Sequence, residues 1–108
     1  MKFRSKTEVR IAQALDDANV LYFPLPIAVR HLTSLEPDFV VVHLGRVGVL
    51  EIDGPHHTAL TRAREDARAA FFQQSGIRLV RHYAVSAVDA DPAAVVKDFL
   101  QLLRGPTL

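Results

Sequence analysis

The sequence predicts an α/β domain, a mixed β-sheet flanked by helices in the order α-β-β-β-α-β-α. Three observations carry that expectation. A capped helical stripe opens the chain. Two apolar runs, Phe39 to Leu44 and Val47 to Asp53, stand on either side of Gly45-Arg46. After Gly54-Pro55 the apolar spacing turns helical, reverts to alternation at Ile77, and turns helical again after Asp91-Pro92. Helices and strands interleaved in this way bury their apolar faces best when helices lie on a sheet.

Each element has its own signal. Ser5-Lys6-Thr7-Glu8 has capping-box spacing, in which the serine hydroxyl and the glutamate carboxylate satisfy backbone N–H groups at a helix start. Val9, Ile11, Ala12, Leu15 and Ala18 extend it as an apolar stripe toward Asn19. Val20 to Phe23 is a short apolar run stopped by Pro24 and Pro26. Ile27 to Leu32 reads as a further strand with polar interruptions. The runs around Gly45-Arg46 form a hairpin with glycine leading its turn. Leu60 to Ser75 is helical, with Leu60, Ala63, Ala67, Ala70 and Phe71 on one side and Gly76 as its stop. Ile77 to Tyr83 alternates as a strand. Asp91-Pro92 then opens a last helix, with proline at its first position, that runs to Leu103.

A length of 108 residues suits one domain over residues 1–108. The absence of cysteine excludes a disulfide framework and any thiolate metal site. The charged start lacks the apolar centre of a signal peptide, and no apolar run approaches a membrane span, so a soluble cytoplasmic protein is expected. A net charge of +1 gives no overall pull toward a polyanion. A nucleic acid would have to be met locally, by the group Arg62, Arg64, Arg68, Arg78 and Arg81. Solvated helix faces carry such arginines as well.

The carboxylates in the hairpin are harder to place. A turn on Gly45-Arg46 sets Val42 opposite Val49, Val40 opposite Glu51, and Asp38 opposite Asp53, all on one side of the sheet. The other side carries Phe39, Val41, Leu50 and Ile52, so both faces are apolar and the hairpin belongs at the centre of the sheet. Opposed residues lie about 5 Å apart at the β-carbon and the diagonal pair Asp38/Glu51 roughly 7–8 Å. Three like charges at this spacing repel, and burial adds to the cost of ionisation. Protonation or a cation must answer them. Hard oxygen donors on a rigid frame suit Mg2+ or Mn2+. The structural alternative has Asp38 capping a strand end, Glu51 paired with an arginine, and Asp53-Gly54 in a turn. Glu8 shares a helix face with Ile11, Ala12 and Leu15, and serves either the capping box or an acidic site.

These residues occur in a telling order: Glu8, then Glu36-Pro37-Asp38, then Glu51-Ile52-Asp53-Gly54. Farther along stand His57, Glu65, Arg68, Gly76 and Arg81. The order resembles the PD-(D/E)XK nuclease superfamily, and within it the very-short-patch-repair endonuclease-like branch, over nearly the whole chain. The resemblance implies a restriction-endonuclease-like fold and metal-dependent hydrolysis of DNA phosphodiester bonds. It implies Asp38 and Glu51 as metal ligands, with Glu8 shaping the site or holding a metal-bound water. The superfamily lysine is replaced by Asp53, which binds a second metal or takes a proton but cannot stabilise negative charge. His57, or its neighbour His56, is then the substitute acid/base group or phosphate donor. Both histidines also read as solvated loop residues. Arg62, Arg64 and Arg68 would contact neighbouring phosphates. Arg81 reads as an inward structural ion pair first and a phosphate contact second. Glu65 and Arg68 form either a solvent-facing pair or partners of the site. His31, His43 and His82 carry no functional reading. A nuclease-fold module that binds nucleic acid without cutting it, and a structural subunit whose apolar faces form a homodimer, are the rival readings.

Overall fold

The computed structural model describes residues 5–30, 33–54 and 59–105. Helix α1 spans Lys6–Asp17, and the Ser5 hydroxyl accepts a hydrogen bond from the Glu8 N–H, so the serine half of the expected cap is present. Strands β1 (Leu21–Pro24), β2 (Ala28–Arg30), β3 (Thr33–Leu35), β4 (Phe39–His43) and β5 (Arg46–Asp53) follow. Then come α2 (Ala59–Gln74), β6 (Leu79–Ala84), α3 (Val85–Ala90) and α4 (Pro92–Arg104). Asp91 caps α4 by accepting from the Ala94 N–H, as the Asp-Pro pair predicts.

The main sheet has the order β1-β4-β5-β6. β1 and β4, and β4 and β5, pair antiparallel, whereas β5 and β6 pair parallel across the α2 connection. The domain is thus a mixed sheet flanked by helices, with the predicted hairpin at its centre. Three elements go beyond the expected order, β2, β3 and α3, and of these only β2 is foreshadowed, by Ile27 to Leu32. β3 pairs with β2 in a separate two-stranded sheet, and α3 fills the step between β6 and α4. β3 and α3 are short, and neither is long enough to show a full apolar period.

The turn differs from expectation by one residue. Leu44 and Gly45 form it, with φ of 51° and 77°, and His43 pairs with Arg46. A two-residue hairpin turn with both central residues left-handed matches the twist of the strands, and glycine belongs at its second position rather than its first. The shift moves every pair by two: Val42 faces Val47 and Val40 faces Val49. Because the shift is even, no side chain changes face.

One face of the sheet carries the main core. Phe39, Val41 and Leu50 are fully buried there with Ile11 and Leu15 of α1, Val88 of α3 and Phe99 of α4. Each such side chain contributes about 1.5–3 kcal/mol on burial. Gly48 belongs to this face because α4 leaves no room: an added β-carbon would lie 2.9 Å from Phe99 and 3.1 Å from Leu103. The other face is served by α2, where Val49 and Phe72 are buried outside the main cluster. The β2 strand grips the far end of α2 through Arg30, which donates to the Phe71 carbonyl and the Ser75 hydroxyl and stacks 4.5 Å over the Phe71 ring. Among the described residues, no helix is long and apolar enough to cross a membrane.

Candidate functional site

Continuing the pairing of Phe39 with Leu50 by one step places Asp38 against Glu51, not against Asp53. The two acids are laced into each other's backbone. The Ile52 N–H donates to Asp38 Oδ2 at 2.7 Å, and the Asp38 N–H donates to Glu51 Oε2 at 3.2 Å. Each carboxylate therefore satisfies a backbone donor on the opposite strand, where the sheet ladder ends. The Asp38 carbonyl accepts from Leu25, tying the same corner to the segment after β1.

Glu51 is only 5% exposed, and a buried carboxylate needs a partner. Arg68 of α2 supplies it. Its Nη2 lies 2.8 Å and its Nε 3.3 Å from Glu51 Oε1, and Nη2 also donates to the Glu36 carbonyl at 3.1 Å. Arg68 thus faces the strand acids rather than solvent. Of the arginines expected to meet phosphate, Arg62 and Arg64 are exposed on α2. Arg68 is committed to Glu51.

Asp53 does not join the other two acids in one donor group. It turns toward β6, where His82 Nδ1 lies 2.9 Å from Asp53 Oδ1. Glu65 reaches the same place from α2. One donor atom from each of Asp53, Glu65 and His82 falls within 4.8 Å of the others, the single such histidine/acid group among the described residues. The expected convergence of Asp38, Glu51 and Asp53 accordingly divides in two. Asp38 and Glu51 meet each other, and Asp53 meets Glu65 and His82.

His82 carries no functional signal in the sequence. Its parity is available there, since residues 80, 82 and 84 share a face of an alternating strand, but its pairing partner is not. Parallel register sets His82 beside Glu51 and therefore on the acid-bearing face. Arg81, expected to point inward to an acid, is instead exposed, with its guanidinium 6.0 Å from the Tyr83 ring. Alternation alone leaves open which half of an edge strand is covered. Glu8 is 7% exposed on α1, the helix that packs on the opposite face of the sheet from Glu51. His56 and His57, like His31, lie outside the described residues.

Compared with protein-family models, with curated proteins and with solved structures, the chain matches none. The site must be read from its own geometry.

Proposed function

We propose that the domain is a divalent-metal-dependent nuclease hydrolysing DNA phosphodiester bonds on a restriction-endonuclease-like frame. The observation that carries this reading is the clasp between Asp38 and Glu51. Two acids from neighbouring strands are held at one corner of the sheet, each fixed by the other's strand. Their donors are hard carboxylate oxygens on rigid elements, which fits Mg2+ or Mn2+. An ion held by Asp38 and Glu51 supplies polarisation of a phosphate oxygen and a water of lowered pKa.

The chain's own residues supply the rest. The Ile52 N–H holds Asp38 in one rotamer, so the carboxylate needs little reordering to act. Arg68, already beside Glu51, balances the charge of that buried acid. Arg62 and Arg64, exposed on the same helix, are free to meet flanking phosphates. Asp53 stands where a lysine would serve the superfamily and cannot stabilise negative charge. His57 keeps the acid/base role that the sequence suggests.

Duplex DNA incubated with Mg2+ or Mn2+ tests the reading. Wild-type protein is expected to cut, Asp38→Asn and Glu51→Gln to lose cutting while retaining the fold by circular dichroism. Cleavage unchanged in both variants overturns it. A second reading, a nucleic-acid-binding module without chemistry, is favoured by one observation: Arg68 already neutralises Glu51 without any ion. DNA binding with no cleavage, and no heat from Mg2+ at millimolar concentration, selects that module.

A further inference from the structure

We infer that Asp53, Glu65 and His82 form a binding site for a divalent transition ion of the Zn2+ class, distinct from the Asp38–Glu51 pair. The inference goes beyond the nuclease reading and does not depend on it. Three different elements contribute: Asp53 ends β5, Glu65 comes from α2, and His82 lies in β6. β5, α2 and β6 form a parallel strand–helix–strand unit, and Asp53 and His82 lie toward the carboxyl ends of its two strands.

The donor set selects the ion. One imidazole nitrogen and two carboxylates suit Zn2+ better than Mg2+, which prefers oxygen alone and keeps its waters. The spacing agrees with shared coordination. Two adjacent ligands each about 2.1 Å from an ion lie roughly 3.0–3.4 Å apart. His82 Nδ1 and Asp53 Oδ1 are already 2.9 Å apart, and the Glu65 donor closes the group within 4.8 Å. Glu65 need only draw in by a side-chain rotation to complete three protein ligands, leaving a fourth position for water or substrate.

A second observation concerns the histidine alone. His82 Nε2 is buried with no hydrogen-bond partner among the described residues. A structural histidine gains nothing by leaving a ring nitrogen buried and unpaired, which forfeits the hydration that nitrogen would have in the unfolded chain. The side chains of His82 and Asp53 are 22% and 15% exposed, so an ion has a route in from solvent.

Calorimetric titration with Zn2+, without DNA, tests the site on wild-type protein and on His82→Ala, Glu65→Gln and Asp38→Asn. One equivalent that persists in Asp38→Asn is expected to bind the wild type, beyond any ion taken by the Asp38–Glu51 pair. Glu65→Gln and His82→Ala should weaken it by more than the roughly 10–100-fold typical of disturbing a supporting partner, and Asp38→Asn should leave it unchanged. Glu65 lies on a half-exposed helix position, so its variant remains informative if His82→Ala fails to fold. Equal Zn2+ affinity in wild type and Glu65→Gln overturns the inference, as does loss of the site in Asp38→Asn. Absent cleavage with the Zn2+ site intact would count against the nuclease reading alone.

Discussion

Arg68 holds Glu51 through two guanidinium nitrogens that converge on one carboxylate oxygen, Nη2 at 2.8 Å and Nε at 3.3 Å. Glu51 is nearly inaccessible, whereas the Arg68 side chain keeps 31% of its surface in solvent. The acid depends on the arginine more than the reverse. Arg68→Ala is therefore expected to destabilise the fold by about 1–3 kcal/mol, because it strands a buried charge. Arg68→Ala in a Glu51→Gln background should cost clearly less. Urea denaturation of the four proteins measures the coupling, and strict additivity would show that the pair contributes nothing.

The clasp at Asp38 separates stability from chemistry. Asp38→Ala removes the acceptor of the Ile52 N–H and is expected to cost about 1–3 kcal/mol. Asp38→Asn keeps a carbonyl oxygen in that position and should remain close to wild type in thermal unfolding. A large loss in the asparagine variant would mean that its charge, not its hydrogen bond, holds the corner.

Gly48 meets α4 edge-on. Gly48→Ala would press a methyl group to 2.9 Å from the Phe99 ring, and the expected penalty is about 1–3 kcal/mol. Pairing it with Phe99→Leu should recover part of that loss, as read from the denaturation midpoint.

Both tyrosines resist ionisation. Burial first, and then the Asp98 carboxylate that accepts the Tyr83 hydroxyl hydrogen bond at 2.6 Å, hold Tyr83 protonated well above the ordinary value of 10. Burial and Asp16 raise Tyr22 in the same direction. A raised folded-state pKa gives stability that is complete below pH 10, the unfolded value, and is lost as pH climbs through the folded value. Absorbance of tyrosinate should thus reach its midpoint only above pH 10, with stability falling as it develops. Titration at 10 in a protein still folded by circular dichroism contradicts the assignment.

On the nuclease reading, Arg62 and Arg64 meet phosphate and Arg68 does not. Replacing both by alanine is expected to lower the slope of log affinity against log salt by about two, roughly one for each phosphate that an arginine neutralises. An unchanged slope removes α2 from the DNA interface.

The acids were legible in the sequence, and so was an arginine for Glu51 in the structural alternative, but not which arginine it is nor what Asp53 meets. Carboxylates inside apolar strands stand out at Asp38 and Glu51, and alternation gave them the right face even though the turn sits one residue earlier than Gly45-Arg46 suggests. Pairing Asp53 with Asp38 failed because it depended on that same turn. Arg68 and Glu65 were visible as a helical pair, but helical spacing cannot say which way a helix of mixed polarity faces. His82 was out of reach for a stronger reason. Its neighbour Glu51 lies on a parallel strand reached only through α2, and a parallel crossover carries no turn from which register can be counted.

Helix α2 is anchored chiefly at β6, at Phe72 and at the Arg30 clamp near its end, while Leu60 at its start is exposed. Amide exchange should accordingly begin in its first turns well before the strands it covers. Because Arg68 and Glu65 ride on this one segment, its fraying would unmask Glu51 and withdraw Glu65 from the Asp53–His82 pair in a single event. Whatever ligand either place holds would act as a brake on that fraying, and each would report on the other's occupancy.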